Sequence, residues 1–190
     1  PSHQIRDTNK LLPQYILKEL SEVTEGKAII ITGVGQHQMW AAQHYSFKEP
    51  NGLITSGGLG AMGFEVPAAL GAKIGRPDRV VWSIAGDGGF QMTLCDLATA
   101  VENQIDVKFA IMNNNFLGMV RQWQDFFYNK VYTASSYTHN PDFVKLAEAY
   151  GISGIRVTEK EQVRSAIEWA MSEPGPVVVE FMVEPEENVY

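Results

Sequence analysis

Two short stretches carry residue types that could do chemistry at one fixed point. One is Gly86-Asp87-Gly88-Gly89, an acid set among glycines; the other is Asn113-Asn114-Asn115, with 24 residues between Gly88 and Asn113. Each closes an apolar, β-type run, Val80 to Ala85 before the acid and Val107 to Met112 before the amides. A helical pattern of Phe90, Met92, Leu94 and Leu97 follows the glycines directly. Two neighbouring strand ends can therefore aim a carboxylate and an amide oxygen at one point. Hard oxygen ligands of this kind suit magnesium or calcium. Magnesium is usually held by only one or two carboxylates, with phosphate oxygens and water completing its shell, so the pair suggests a metal-bound phosphate ligand. Asp87 alone would suit a turn or a helix cap equally well; the pairing, with glycine-rich loops on either side, is what favours a site.

The elements that must position these residues can be read from periodicity. Leu11, Leu12, Tyr15, Ile16, Leu17 and Leu20 predict an amphipathic helix from about Thr8 to Val23, ended by Gly26. Lys27 to Thr32 reads as a buried parallel strand, followed by a loop over Gly33 to His37 and a short helix from Gln38 to about His44. Leu53 to Thr55 is a short strand, and Gly57 to Gly63 a glycine-rich loop opening a helix from Phe64 to about Ile74. The helix from Phe90 is expected to reach about Asn103, and an aromatic helix to span Gly118 to Tyr128. Asn140 and Pro141 read as N-cap and first turn of a helix through Tyr150. After a strand over Ile152 to Val157, Thr158-Glu159-Lys160-Glu161 reads as a capping box for a helix through Met171, and Val177 to Val183 is the last strand. This alternation predicts an α/β, three-layer, doubly wound sandwich: a mostly parallel six-stranded sheet with helices on both faces. Ligands of such sheets bind at the carboxyl edge, where every glycine-rich loop above falls.

Composition removes several classes of function. A net charge of -7 with no local run of Lys or Arg excludes binding to nucleic acid and to anionic lipid. With 190 residues the chain makes one domain, which buries about 70% of its unfolded surface. Cys95 is the only cysteine, so no intrachain disulfide and no CxxC motif exist; a cytoplasmic setting fits, and Cys95 itself is expected to be buried on its helix. No apolar run reaches the roughly 18 residues a membrane span needs. The chain starts Pro1-Ser2-His3 and stops at Val189-Tyr190 just after a strand-like run, which reads as two cuts in a longer polypeptide.

Gly58-Leu59-Gly60-Ala61-Met62-Gly63 formally fits a dinucleotide fingerprint, with Asp87 near the distance of its ribose-binding acid, but that reading leaves the Asn cluster without a role. A different resemblance covers nearly the whole chain from about Pro13. Gly86-Asp87-Gly88 with Asn113-Asn114, Thr32 to Gln43, Thr55 to Phe64, and Gly118-Met119-Val120-Arg121-Gln122-Trp123-Gln124 together resemble the catalytic subunits of acetohydroxyacid synthase, also called acetolactate synthase. That family uses thiamine diphosphate. The resemblance implies that Asp87 and the Asn114 side chain bind Mg2+ with the main-chain oxygen of Phe116, and that Gly86, Gly88, Gly89, Gly118, Met119 and Val120 line the cofactor. Val34, Gly35, Gln36 and His37 would meet the diphosphate. Met62 would hold the cofactor bent, the main chain near Gly60 would accept from its aminopyrimidine, and Trp123 would stand at the substrate channel. From the residues alone, Met62 and Trp123 read as core packing and His37 as a loop histidine in solvent. Glu65 stands where the family usually has Gly; its charge suits a helix start, so only a local surface adjustment is expected.

The resemblance further implies decarboxylation of pyruvate and condensation of what remains with a second 2-keto acid, in branched-chain amino acid biosynthesis. The family's activating glutamate comes from a separate amino-terminal domain, and no residue here maps to it. The expectation is therefore a single thiamine diphosphate-binding domain, residues 1–190, of a three-domain enzyme: inactive alone, self-associating, and part of a homo-oligomer (dimer or tetramer) at full length, with a regulatory subunit left open. The alternatives are a relative with the same cofactor, such as pyruvate oxidase or benzoylformate decarboxylase, and a non-catalytic binding or assembly module.

Overall fold

Helix α1 (Pro13–Val23) begins at Pro13 and not near Thr8, because a residue preceding proline is driven out of the helical region and Leu12 is extended, with ψ 137°. Proline at the first helical position loses no hydrogen bond. Gly26 ends the turn at φ +68°, where an added Cβ would lie 2.2 Å from the Ser46 carbonyl oxygen, so both conformation and space demand glycine. The computed structural model describes residues 4–189; Pro1 to His3 and Tyr190, on which the expectation of cut ends partly rests, lie outside them.

Among the described residues six strands follow: β1 (Ile29–Thr32), β2 (Leu53–Thr55), β3 (Val81–Gly86), β4 (Lys108–Asn113), β5 (Ser153–Val157) and β6 (Val177–Met182). They form one sheet in the order β2-β1-β3-β4-β6-β5, and every pair is parallel. The other helices are α2 (Gln36–His44), α3 (Glu65–Gly75), α4 (Asp87–Thr93), α5 (Leu97–Glu102), α6 (Gly118–Phe127), α7 (Phe143–Ala149) and α8 (Val163–Ser172). Alternate side chains of each strand enter two separate cores. On one face Ile30, Trp82, Ile84, Val179 and Phe181 pack with Leu17 and Leu20 of α1, Trp40 of α2 and Ile167 of α8. On the other, Ile31, Val81, Phe109 and Val178 pack with Leu70 of α3, Phe90 of α4 and Phe143 of α7. Burial on both faces is why these strands are apolar runs without alternation.

The order places the site. From β1 the chain goes outward to β2, then returns to put β3 on the opposite side of β1, so the loops after β1 and β3 part and leave a crevice. The same order disposes of the dinucleotide reading, since β1 lies between the strand preceding the Gly58 loop and the strand that ends before Asp87. At the opposite, amino edge the chemistry is structural. Buried Lys108 donates from Nζ to the carbonyls of Glu173 (2.6 Å) and Gly175 (2.8 Å) and pairs with Asp106 at 2.7 Å.

Four further expectations are corrected. The helix placed at Phe90 begins at Asp87 and breaks into a 3-10 turn at Leu94–Asp96 before α5, and the change of helical phase leaves Cys95 exposed. Asp142, not Asn140, caps α7, its Oδ1 accepting from the Lys145 N–H at 3.2 Å. The capping box falls one residue later than expected, pairing Glu159 with Gln162.

Candidate functional site

Because α4 starts at Asp87, the Gly-Asp-Gly-Gly stretch is the first turn of a helix that leaves the strand without a loop. Gly86 is still extended, and the Asp87 side chain is thereby delivered to the crevice with 1% exposure. Its Oδ1 accepts from the Gly88 N–H at 3.0 Å and its Oδ2 from the Asn140 amide at 2.7 Å. Asp87 has no ion-pair partner among the described residues, and burial pushes its carboxyl up to about 6 despite those hydrogen bonds. A buried acid without a cation is the electrostatic signature of a place where one can bind. No group of three or more His, Cys, Asp or Glu could hold a metal among the described residues, so a cation here must also use amide, main-chain and ligand oxygens.

The second half comes from β4. Asn114 is buried, its Oδ1 accepting from the Phe116 N–H at 3.0 Å, and Asn115 takes φ +59°, which turns the chain back beside Asp87. Asparagine tolerates that left-handed conformation better than other side chains. The turn is held from outside by backbone hydrogen bonds, Leu117 N–H to Ser135 and Tyr137 N–H to Asn115, each 2.8 Å. Arg121 adds a stacked contact between the Phe116 and Tyr132 rings.

Asp87, Asn114 and Phe116 line one open cleft with Val34, Gly35, Gln36, His37, Met62, Gly86, Gly88, Gly89 and Gly118. The structure thus brings most of the sequence-derived residues together. Gly60 sits on an exposed loop outside the cleft, and Val120 and Trp123 face a separate apolar groove with Phe127, Tyr128 and Val131. Met119 lines neither. Met62 is 36% exposed and Trp123 54%, so neither is core packing.

His37 is buried rather than solvated, and burial lowers its imidazole to about 4, so it is neutral at physiological pH. Its Nε2 and the indole Nε1 of Trp40, another residue of the cleft, lack hydrogen-bond partners, which leaves two polar groups for a ligand to satisfy. The space is kept by glycines. A Cβ on Gly118 would lie 2.1 Å from Oε1 of Gln36, a buried side chain whose Nε2 donates to Gln122 Oε1 (2.9 Å) and the Glu187 carbonyl (3.1 Å).

Glu65 overturns the expectation of a surface adjustment. At the start of α3 it turns inward and is fully buried, with no charged partner among the described residues and only the main-chain N–H groups of Glu65 and Gly63 near enough to favour its ionised form weakly. Its carboxyl lies so close to Gly33 and Gly89 that a Cβ at either would meet it at 2.0 and 2.6 Å. Burial pushes it up to about 7. Asn140 is absent from the residues the sequence points to, because 53 positions separate it from Asp87 and its place before proline resembles an ordinary cap.

Residues 33–181 match the thiamine pyrophosphate enzyme family in its C-terminal TPP-binding domain, and the chain belongs to that family. It is 48% identical over 185 residues to acetolactate synthase 2, chloroplastic, of Nicotiana tabacum, covering 93% of this chain and 28% of that one. It is 48% identical over 181 residues to the mitochondrial acetolactate synthase catalytic subunit of Saccharomyces cerevisiae (93% of this chain, 26% of the relative). With acetolactate synthase isozyme 2 large subunit of Escherichia coli it shares 43% over 175 residues (92% and 32%). The chain thus spans roughly a quarter to a third of the length of these relatives. No helix among the described residues is long and apolar enough to cross a membrane.

Proposed function

We propose that the chain is the diphosphate-binding domain, residues 1–190, of an acetolactate synthase catalytic subunit, and that it holds thiamine diphosphate through Mg2+ in the synthesis of a branched product from pyruvate and a second 2-keto acid. The observation that best supports this is the uncompensated, buried carboxylate of Asp87 lining one cleft with Asn114 and Phe116. When bound, thiamine diphosphate supplies the nucleophilic carbon on which a 2-keto acid is decarboxylated. The residues of this chain bind and orient. Asp87, Asn114 and the Phe116 carbonyl would take the cation, His37 and Trp40 would offer polar atoms to the diphosphate, Gly118 leaves it room, and Gly88 and Gly89 stand in the cleft wall. Met62 would support the cofactor from the cleft wall, with Gly60 on the loop that leads to it, and Trp123, with Met119 and Val120 on the same helix, would belong to the substrate approach. No residue here is assigned the role of the activating acid, so the chain alone binds cofactor without turnover, in a cytoplasmic setting.

Calorimetric titration with thiamine diphosphate tests this. Binding is expected with Mg2+ and not in chelator, and Gly118→Ala should weaken it at least about tenfold while the far-ultraviolet circular dichroism stays unchanged, since its Cβ displaces Gln36 within the cleft. Absence of any magnesium-dependent binding to the wild type would sink the reading.

A homo-oligomer is supported by the exposed aromatic end of α6, where Trp123, Phe127 (73% exposed) and Tyr128 (64%) stand together. Light scattering is expected to show concentration-dependent dimers; a monomeric mass at all concentrations contradicts that.

A further inference from the structure

A line of buried and half-buried amides and acids runs away from Asp87 across the sheet. Asn140 Nδ2 lies 2.7 Å from Asp87 Oδ2, 3.1 Å from Asn113 Oδ1 and 3.0 Å from Asn115 Oδ1. Three acceptors facing one nitrogen fix which way the Asn140 amide points, and its Oδ1 in turn accepts from Gln91 at 3.2 Å. Asn113 is 2% exposed and its Nδ2 donates to Glu180 Oε1 at 2.7 Å, which turns the Asn113 oxygen toward Asn140 and the Asn115 N–H. Glu180, 1% exposed on β6, is held by Arg156 of β5 through Nε at 2.6 Å, and Arg156 reaches Asp142 at 2.8 Å. Each orientation is set by the next partner outward, and the outer partners Glu180 and Arg156 sit on β6 and on the edge strand β5.

We propose that Asn140, Asn113 and Glu180 are positioning residues that fix the Asp87 carboxylate for an octahedral cation, so that the site prefers Mg2+ to Ca2+. The proposal rests on the reading of Asp87 as a cation ligand. Magnesium demands near-ideal octahedral geometry at short distances, whereas calcium accepts six to eight oxygens in flexible arrangements. A carboxylate free to swing therefore harms magnesium binding more. Partners that orient a metal ligand typically carry ten- to a hundredfold in metal affinity.

The test is the affinity for thiamine diphosphate measured by calorimetry in Mg2+ and, separately, in Ca2+, using the full polypeptide. Asn140→Ala is expected to weaken the magnesium-dependent affinity about ten- to a hundredfold and the calcium-dependent affinity less than about threefold. Glu180→Gln leaves residue 140 untouched, nearly preserves side-chain shape and breaks the charged pair with Arg156; it should move the same ratio in the same direction by a smaller factor. A merely structural role would weaken both cations alike, so equal losses, or no loss, in both variants overturn the proposal. If Asn140→Ala does not fold, an unchanged magnesium-to-calcium ratio in Glu180→Gln overturns it alone. A wild type that binds thiamine diphosphate with neither cation overturns the proposed function, and the positioning chain with it.

Discussion

Asp87→Asn is expected to raise the melting temperature of the metal-free protein at pH 7.5 while abolishing magnesium-dependent cofactor binding. The substitution keeps the shape of the side chain and removes its charge. Burial has lifted the Asp87 carboxyl from 3.8 to about 6, so holding it ionised at pH 7.5 costs roughly 3 kcal/mol. Asparagine has one oxygen for two donors, Gly88 N–H and the Asn140 amide, and losing one of those hydrogen bonds costs about 1 kcal/mol or somewhat more. The net gain is roughly 1–2 kcal/mol, a few degrees for a chain of this size. The sign follows from linkage: a carboxyl raised in the fold costs nothing below its unfolded value of 3.8, and the cost grows as pH rises through about 6. The gain should therefore vanish between about pH 4 and 5, and below that the lost hydrogen bond leaves the variant about 1 kcal/mol less stable than wild type. Binding moves the other way, because the only charged cation ligand is gone; a loss of at least about a hundredfold is expected by calorimetry. A variant less stable than wild type at pH 7.5, or one that still binds cofactor with magnesium, would contradict this account.

The second large effect concerns Glu65. Its carboxyl is raised from 4.5 to about 7 by burial, with no charged partner in contact, so a Glu65→Gln variant should be more stable than wild type by roughly 3 kcal/mol at pH 8.5. Below pH 4.5 the acid is neutral in both folded and unfolded chains and the difference should disappear; it should grow between pH 4.5 and about 7 and level off above. Thermal melts at pH 5 and pH 8.5, without metal, decide it. Equal melting temperatures at the higher pH would show that the carboxylate reaches water or a partner when ionised. At both positions a buried charge destabilises the metal-free fold; at Asp87 that cost accompanies a proposed role in binding.

The strands were legible because burial on both faces writes itself as apolar runs, and the strand ends carried Asp87 and Asn114 at a readable spacing. Hydrophobic periodicity and glycine punctuation are local signals, and they located every element of the sheet to within two residues. What they could not carry is the direction a polar side chain takes once the chain is folded. Asn140 and Asp142 are both good caps two residues apart, and only packing of α7 against β5 decides that Asp142 caps while Asn140 turns to Asp87. Glu65 misled for the same reason: a charge at a helix start reads as solvated unless Gly33 and Gly89 are known to face it. Cys95 was misplaced because the 3-10 turn changes the helical phase over three residues, too short a change to show in a periodicity of eleven or more.

The all-parallel sheet has a consequence for evolution and engineering. The cleft lies at the carboxyl edge, while the amino edge is held by contacts such as Lys108 with the carbonyls of Glu173 and Gly175. Some distance therefore separates what binds from what braces, and substitutions far apart with no shared partner add in their effects. The chain can accumulate stabilising changes along its amino edge without touching the cleft, and that reserve can absorb the cost of altering the cleft for a new substrate.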